Sequence, residues 1–152
     1  MNIFILDLDA KKAAQYHLDK HVVKMPLETA QMLCTILRNH NIEAPYKSTH
    51  KNHPCTLWAG ESIYNFNWLV KLGLELCNEY KHRYGKEHKC REVIIYCRDN
   101  KPNLPRVMTD FAMAMPDEFK TFSVVESYRN YYQFGKSHLL KYTNRETPNW
   151  LN

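Results

Sequence analysis

Near the start of the chain, side chains that could do chemistry recur at helical spacing. Turned by about 100° per residue, His17, Lys20, His21, Lys24, Glu28 and Gln31 share one side of a helix. Val22, Val23, Leu27, Ala30, Leu33, Cys34 and Leu37 share the other and read as a core-facing stripe. Lysine, glutamate and glutamine alone would make an ordinary solvated face. Two histidines one turn apart, beside two lysines and a carboxylate, also suit the wall of a cleft. There an amine, Lys20 or Lys24, could attack an electrophilic carbon while Glu28 moved protons or steadied positive charge. Asp19, a second carboxylate in the run though off the histidine side, is a further catalytic candidate.

Two more polar clusters bear on the same question. In Thr49-His50-Lys51-Asn52-His53-Pro54 a polar loop leads directly into an apolar helical pattern. The first backbone donors of a helix are unsatisfied and attract anions. With Lys51 and the imidazoles of His50 and His53, the loop reads as a phosphate or nucleotide site, or as a loop whose Asn52 or His53 caps the helix. In the tail, Arg129, Lys136, Lys141 and Arg145 face only one acid, Glu146, and Tyr128, Tyr131, Tyr132, Phe134, Tyr142 and Trp150 lie among them. Flat rings stack on bases while cations neutralise phosphates, although tyrosines at helical spacing also serve as packing. A metal reading needs His17 and His21 on one ion with His50 and His53 completing the set. No His-Glu-x-x-His signature accompanies them, so neither a metal nor a cofactor is expected in the main reading.

These clusters must be carried by elements a 152-residue chain can build. That length allows one domain with a real core. An apolar fraction of 44% and an aromatic fraction of 12% are globular values. No apolar run reaches the roughly 18 residues of a spanning helix, and the start lacks a signal-peptide pattern, so a cytoplasmic protein with no membrane partner is expected. Five scattered cysteines without a Cys-x-x-Cys pair point to reduced thiols. A net charge of +5 favours anionic partners, DNA or nucleotides.

Residues 2–7 read as a short strand, and Asp9 as the cap of a helix running to about residue 39, broken near Asp19 or Pro26. Residues 40–53 form a loop. The strongest pattern runs from Pro54 to about Tyr84, with Gly85 as its stop. A short helix over 87–98, an extended connection over 99–122 and a last helix over 123–134 complete the chain. The fold class is therefore mainly α: a single helical domain over 1–152, with a short N-terminal strand and a central helix at about 54–84.

The residues also carry a resemblance. Met-Asn-Ile-Phe at the start, Asp19-Lys20-x-Val-Val-Lys24-Met-x-Leu-Glu28-x-Ala-Gln31, and Tyr46-Lys-x-Thr-His-x-Asn-His-Pro54 followed by Trp58 resemble a family of small, mostly phage-encoded proteins. Arg83-Tyr-Gly-Lys86, Ala114-Met-Pro116 and Tyr128-Arg-x-Tyr-Tyr132 extend the likeness over nearly the whole chain. That family is grouped with the pyrimidine-dimer DNA glycosylases of the phage endonuclease V type. The resemblance implies a small helical enzyme that excises a base and then cleaves the abasic strand, in the host cytosol if phage-encoded. It implies an α-amine nucleophile, on a threonine exposed by methionine removal, and a glutamate matched here by Glu28. This chain begins Met-Asn, and asparagine is a large second residue for methionine removal. The amine is then that of Met1, or of Lys20 or Lys24. Two other readings stand beside this one: a small nucleotide-processing or metal-dependent enzyme using the four histidines, and a non-catalytic phage accessory protein that binds a host partner.

Overall fold

The computed structural model describes residues 1–151, and among these every regular element is helical. Residues 2–7 form no regular element and pair with no strand, and Leu6 N bonds back to Phe4 O at 3.0 Å in a tight turn. Ile3, Phe4, Ile5 and Leu6 are all buried, so this segment shows no alternation of one wet and one dry face. It is wedged among helices, with side chains in place of a sheet partner: Arg129 Nε donates to Leu6 O at 2.9 Å.

Asp9 caps α1 (Ala10–Tyr16), its carboxylate accepting from Lys11 N at 2.9 Å. The expected long helix then breaks at His17–Leu18, and α2 runs unbroken from Asp19 to Asn39 with Pro26 inside it. α3 (Pro54–Glu61) starts with proline in its first turn and His53 as its cap. The expected central helix is in fact two, because Ser62 is extended (φ −153°, ψ 144°) and its hydroxyl caps α4 (Ile63–Tyr84) through Tyr64 N. Gly85, at φ +74°, closes α4 in the left-handed conformation that glycine tolerates best. α5 (Arg91–Asp99) and α6 (Val124–Asn130) follow, and α6 runs into a π turn, Tyr131–Gly135.

The centre is the pair α2 and α4, with α3 and α5 packed against both and α1 against α4. α2 and α4 approach closely at Gly73, where a Cβ would lie 2.7 Å from the Thr29 methyl and 2.9 Å from Ile94 Cδ1. The α2 face is not the one periodicity suggested: Val23 and Leu27 are 46% and 38% exposed, whereas His17 and His21 are buried. A strap over 100–116 crosses the core without regular structure, pinned by Ser62 Oγ to Val107 O and by Phe111 stacked on Trp58 at 4.9 Å. All five cysteines are free and buried. No helix among the described residues is long and apolar enough to cross a membrane.

Candidate active site

His21, Glu28 and Thr35 are spaced by seven, so they stack along one seam of α2. Each meets a different part of the chain. Thr35 Oγ1 accepts from Thr49 N at 3.0 Å and lies 3.1 Å from Thr49 O, which ties the 40–53 loop to the helix. His21 is covered by Phe4, stacked at 4.3 Å, and by Tyr132. Between them Glu28, 5% exposed, receives the start of the chain.

Three nitrogens converge on this carboxylate. The Met1 amine lies 3.4 Å from Oε1, Asn2 N donates to the same oxygen at 3.0 Å, and Lys24 Nζ lies 3.4 Å from Oε2. Each oxygen of this buried carboxylate is therefore paired, as burial of a charged group requires. The Met1 side chain is 2% exposed while the residue as a whole is partly exposed, so its backbone end is what meets solvent. α3 closes the other wall. Cys55 Sγ donates to Asn2 Oδ1 at 3.6 Å, and Thr56 Oγ1 to Met1 Sδ at 3.8 Å. His53 Nδ1 accepts from Cys55 N at 3.1 Å, which leaves the proton of the neutral ring on Nε2. Burial, then the Met1 ammonium and His50, lower the His53 pKa, while Glu28 opposes them. The loop and α2 therefore meet at Thr35 and Thr49, and His53 caps the helix whose Cys55 reaches Asn2 beside Glu28.

The other expected site residues divide into a rim and a core. Lys20, Lys51, Asn52, His50 and Lys141 are exposed, and Lys136 lies over the Tyr131 ring at 5.1 Å. His50 takes a positive φ of 48° in the turn before α3. A groove of about 600 Å³ opens beside Lys24, lined by Leu27, Tyr46, Tyr80, Lys86 and Lys89. Sequence reasoning missed it, because its walls come from three separate stretches.

Asp19 is committed elsewhere: it accepts from Arg83 at 3.0 Å and from Thr143 N and Oγ1 at 2.9 and 2.6 Å. Arg145 is clamped on Glu79 at 2.6 and 2.9 Å, and Arg129 sits on Leu6 O and Asp7 between the Tyr16 and Trp150 rings. Tyr128 and Tyr132 are fully buried and offer no ring face to a base. The four histidines of the metal reading are not gathered on one point either. His17 Nδ1 donates to Ala13 O at 2.6 Å, His21 Nδ1 is 2.6 Å from the Tyr132 hydroxyl, and no three His, Cys, Asp or Glu side chains are placed to share an ion among the described residues.

The two buried histidines carry a pH signature. Burial lowers His17 from 6.5 to about 4, and burial followed by the charges of His17 and Lys136 lowers His21 to about 3. Unfolding exposes imidazoles that take up protons below about pH 6.5. Stability is therefore full above that pH and falls on acidification towards pH 4, by up to about 1.4 kcal/mol per pH unit for each ring. Urea midpoints measured between pH 7 and 5 should fall accordingly. A flat profile would show both rings to titrate in the fold as they do in the unfolded chain.

Fold and site together define an all-α protein that gathers amines on one buried carboxylate at the start of its chain. The model of the family described as pyrimidine dimer DNA glycosylase matches residues 1–92, more than half of the 152, and the chain belongs to that family. The matched part includes Met1, Asn2, Lys24, Glu28 and His53. No curated protein and no solved structure matches the chain. Membership supports a DNA glycosylase-like role, with DNA as the substrate class.

Proposed function

We propose that the chain is a DNA glycosylase and abasic lyase for damaged pyrimidines, with an α-amine as nucleophile and Glu28 as its acid–base partner. The observation that carries this is the convergence on Glu28 Oε1 of the Met1 amine and Asn2 N, at 3.4 and 3.0 Å. If methionine were removed, the nitrogen already on Glu28 would become the free amine. Either way an α-amine faces the carboxylate, and Lys24 lies on its other oxygen.

In the proposed reaction the amine lone pair attacks C1′ of the damaged nucleotide as the glycosidic bond breaks. The base leaves with the bonding electrons and takes up a proton. Glu28, ionised, steadies positive charge developing on the sugar and accepts a proton from the attacking nitrogen. Opening of the ring, with a proton delivered to O4′, leaves a Schiff base between the amine and C1′. Loss of a C2′ proton then expels the 3′ phosphate, and water hydrolyses the imine to free the amine. The exposed lysines Lys20, Lys24 and Lys141, with the half-buried Lys136, supply the cationic rim that a phosphate backbone requires. The groove beside Lys24, with its two tyrosines, is roomy enough for an unstacked base.

Borohydride reduction on duplex DNA with one abasic site tests the reading. The Schiff base should be trapped as a covalent adduct and map to the α-amine, and Lys24→Ala should retain it. Intact mass identifies which residue bears that amine. No adduct, or one confined to Lys20, Lys51 or other surface lysines, would remove the proposed nucleophile.

A further inference from the structure

The asparagine that departs from the family's threonine is tied down more completely than a terminal residue needs to be. Its backbone N–H is on Glu28. Its Oδ1 accepts from Ile3 N at 2.8 Å, from the Tyr128 hydroxyl at 3.1 Å and from Cys55 Sγ at 3.6 Å, and its Nδ2 donates to Ala114 O at 2.8 Å. Tyr128 in turn accepts from Ala114 N at 3.1 Å and shares its single proton between Asn2 Oδ1 and Ala112 O, 2.9 Å away. One amide thus joins the chain start, α3, α6 and the 100–116 strap. The phenol is fully buried, and burial raises its pKa far above the ordinary tyrosine value, so it is a neutral donor at working pH.

We infer that Asn2 is a positioning residue that sets the α-amine on Glu28, and that Tyr128 acts through it. The inference rests on the amine reading above. Free chain ends are usually mobile, and an amine that wanders by an ångström forfeits much of the gain from pre-set geometry. Only a primary amide meets this environment from a short side chain, because Oδ1 must accept where Nδ2 must donate. Aspartate would keep the acceptor, lose the bond to Ala114 O and add a second carboxylate beside Glu28. The tyrosine that sequence reasoning placed against DNA bases is assigned here to the amine's support, from inside the core.

The test compares single-turnover trapping rates at saturating abasic DNA for wild type, Asn2→Leu, Asn2→Asp, Tyr128→Phe and the Asn2→Leu/Tyr128→Phe double variant. Leucine matches asparagine in shape, makes none of its side-chain hydrogen bonds and is too large to promote methionine removal. Asn2→Leu should lower the rate on the order of 100-fold and scatter the residual adduct from the α-amine towards Lys24. DNA affinity should stay within about threefold of wild type, since the rim lysines that carry it are unchanged. Tyr128→Phe should lower the rate about tenfold, and the double variant should be no slower than Asn2→Leu alone, as expected of groups acting through one contact. Asn2→Asp should fall between wild type and Asn2→Leu. A merely structural role would lower thermal stability and leave the rate per folded molecule and the adduct position unchanged. That outcome, or additive losses in the double variant, would overturn the inference. A wild-type chain that forms no adduct would instead overturn the amine reading, and the inference with it.

Discussion

Glu28→Gln should lower base release and adduct formation at least about 100-fold, the usual scale for loss of a positioned acid–base group. Glutamine keeps the shape and an oxygen acceptor for Asn2 N, so folding should be preserved. What it loses is the charge facing the Met1 amine and Lys24 Nζ, each 3.4 Å away. An amide neither accepts the nitrogen's proton nor steadies an oxocarbenium-like centre. Binding to the same DNA should remain within about threefold, because phosphate contacts belong to the lysine rim. Rates of 5′-labelled product formation on dimer-containing and abasic duplexes give the answer. Activity within about fivefold of wild type would remove Glu28 from the chemistry.

The largest effect on stability should come from Arg83, far from that chemistry. Its side chain is fully buried, with Asp19 at 3.0 Å and Glu79 at 2.7 Å, while Gln15 O takes a further bond. Arg83→Met would leave two buried carboxylates short of a partner. That should cost about 3–5 kcal/mol, a fall in Tm on the order of 10 °C. Lys81→Ala, which breaks an equally short pair with Glu87 at 2.7 Å, should leave Tm almost unchanged, because both groups are well exposed. Calorimetry of the two variants separates burial from mere proximity. Equal, small effects would mean that the Asp19–Arg83–Glu79 cluster does not hold the tail to the core. Acid titration adds a second reading. Burial raises both carboxyl groups, but bonds from Thr143 and Arg83 at Asp19, and from Arg145 and Arg83 at Glu79, leave each pKa below its ordinary value. Their contribution is present above about pH 4.3 and is lost as pH falls further. Arg83→Met should flatten that acid limb.

Much of the helical layout was legible along the chain. Asp9, Pro54, Gly85 and Ser123 mark helix ends by local chemistry that needs no tertiary partner. The break at Ser62 was hidden because the apolar period runs through it. The strap's hold on Ser62, through Val107 O, exists only in the folded chain. Residues 2–7 looked like a strand from their composition. Composition reports that a segment can be extended and buried, but not whether a second strand lies beside it.

The candidate site shows the same division. Family membership rests on motifs strung along residues 1–92, and Glu28 stood out there as a carboxylate among cations on a helix face. Which face was wet, and which amine faced Glu28, were decided by packing. Periodicity cannot tell that Phe4 and Tyr132 bury His21, or that Asp19 and Arg145 are taken by Arg83 and Glu79. Those partners lie between 17 and 111 residues away, and only the closed fold brings them within bonding distance. The sequence by itself determined the helices, their caps and the stock of reactive groups, because these follow from interactions within a few residues. The tertiary structure alone decided that the chain start is drawn onto Glu28, because that depends on α3, α6 and the strap closing around Asn2 together.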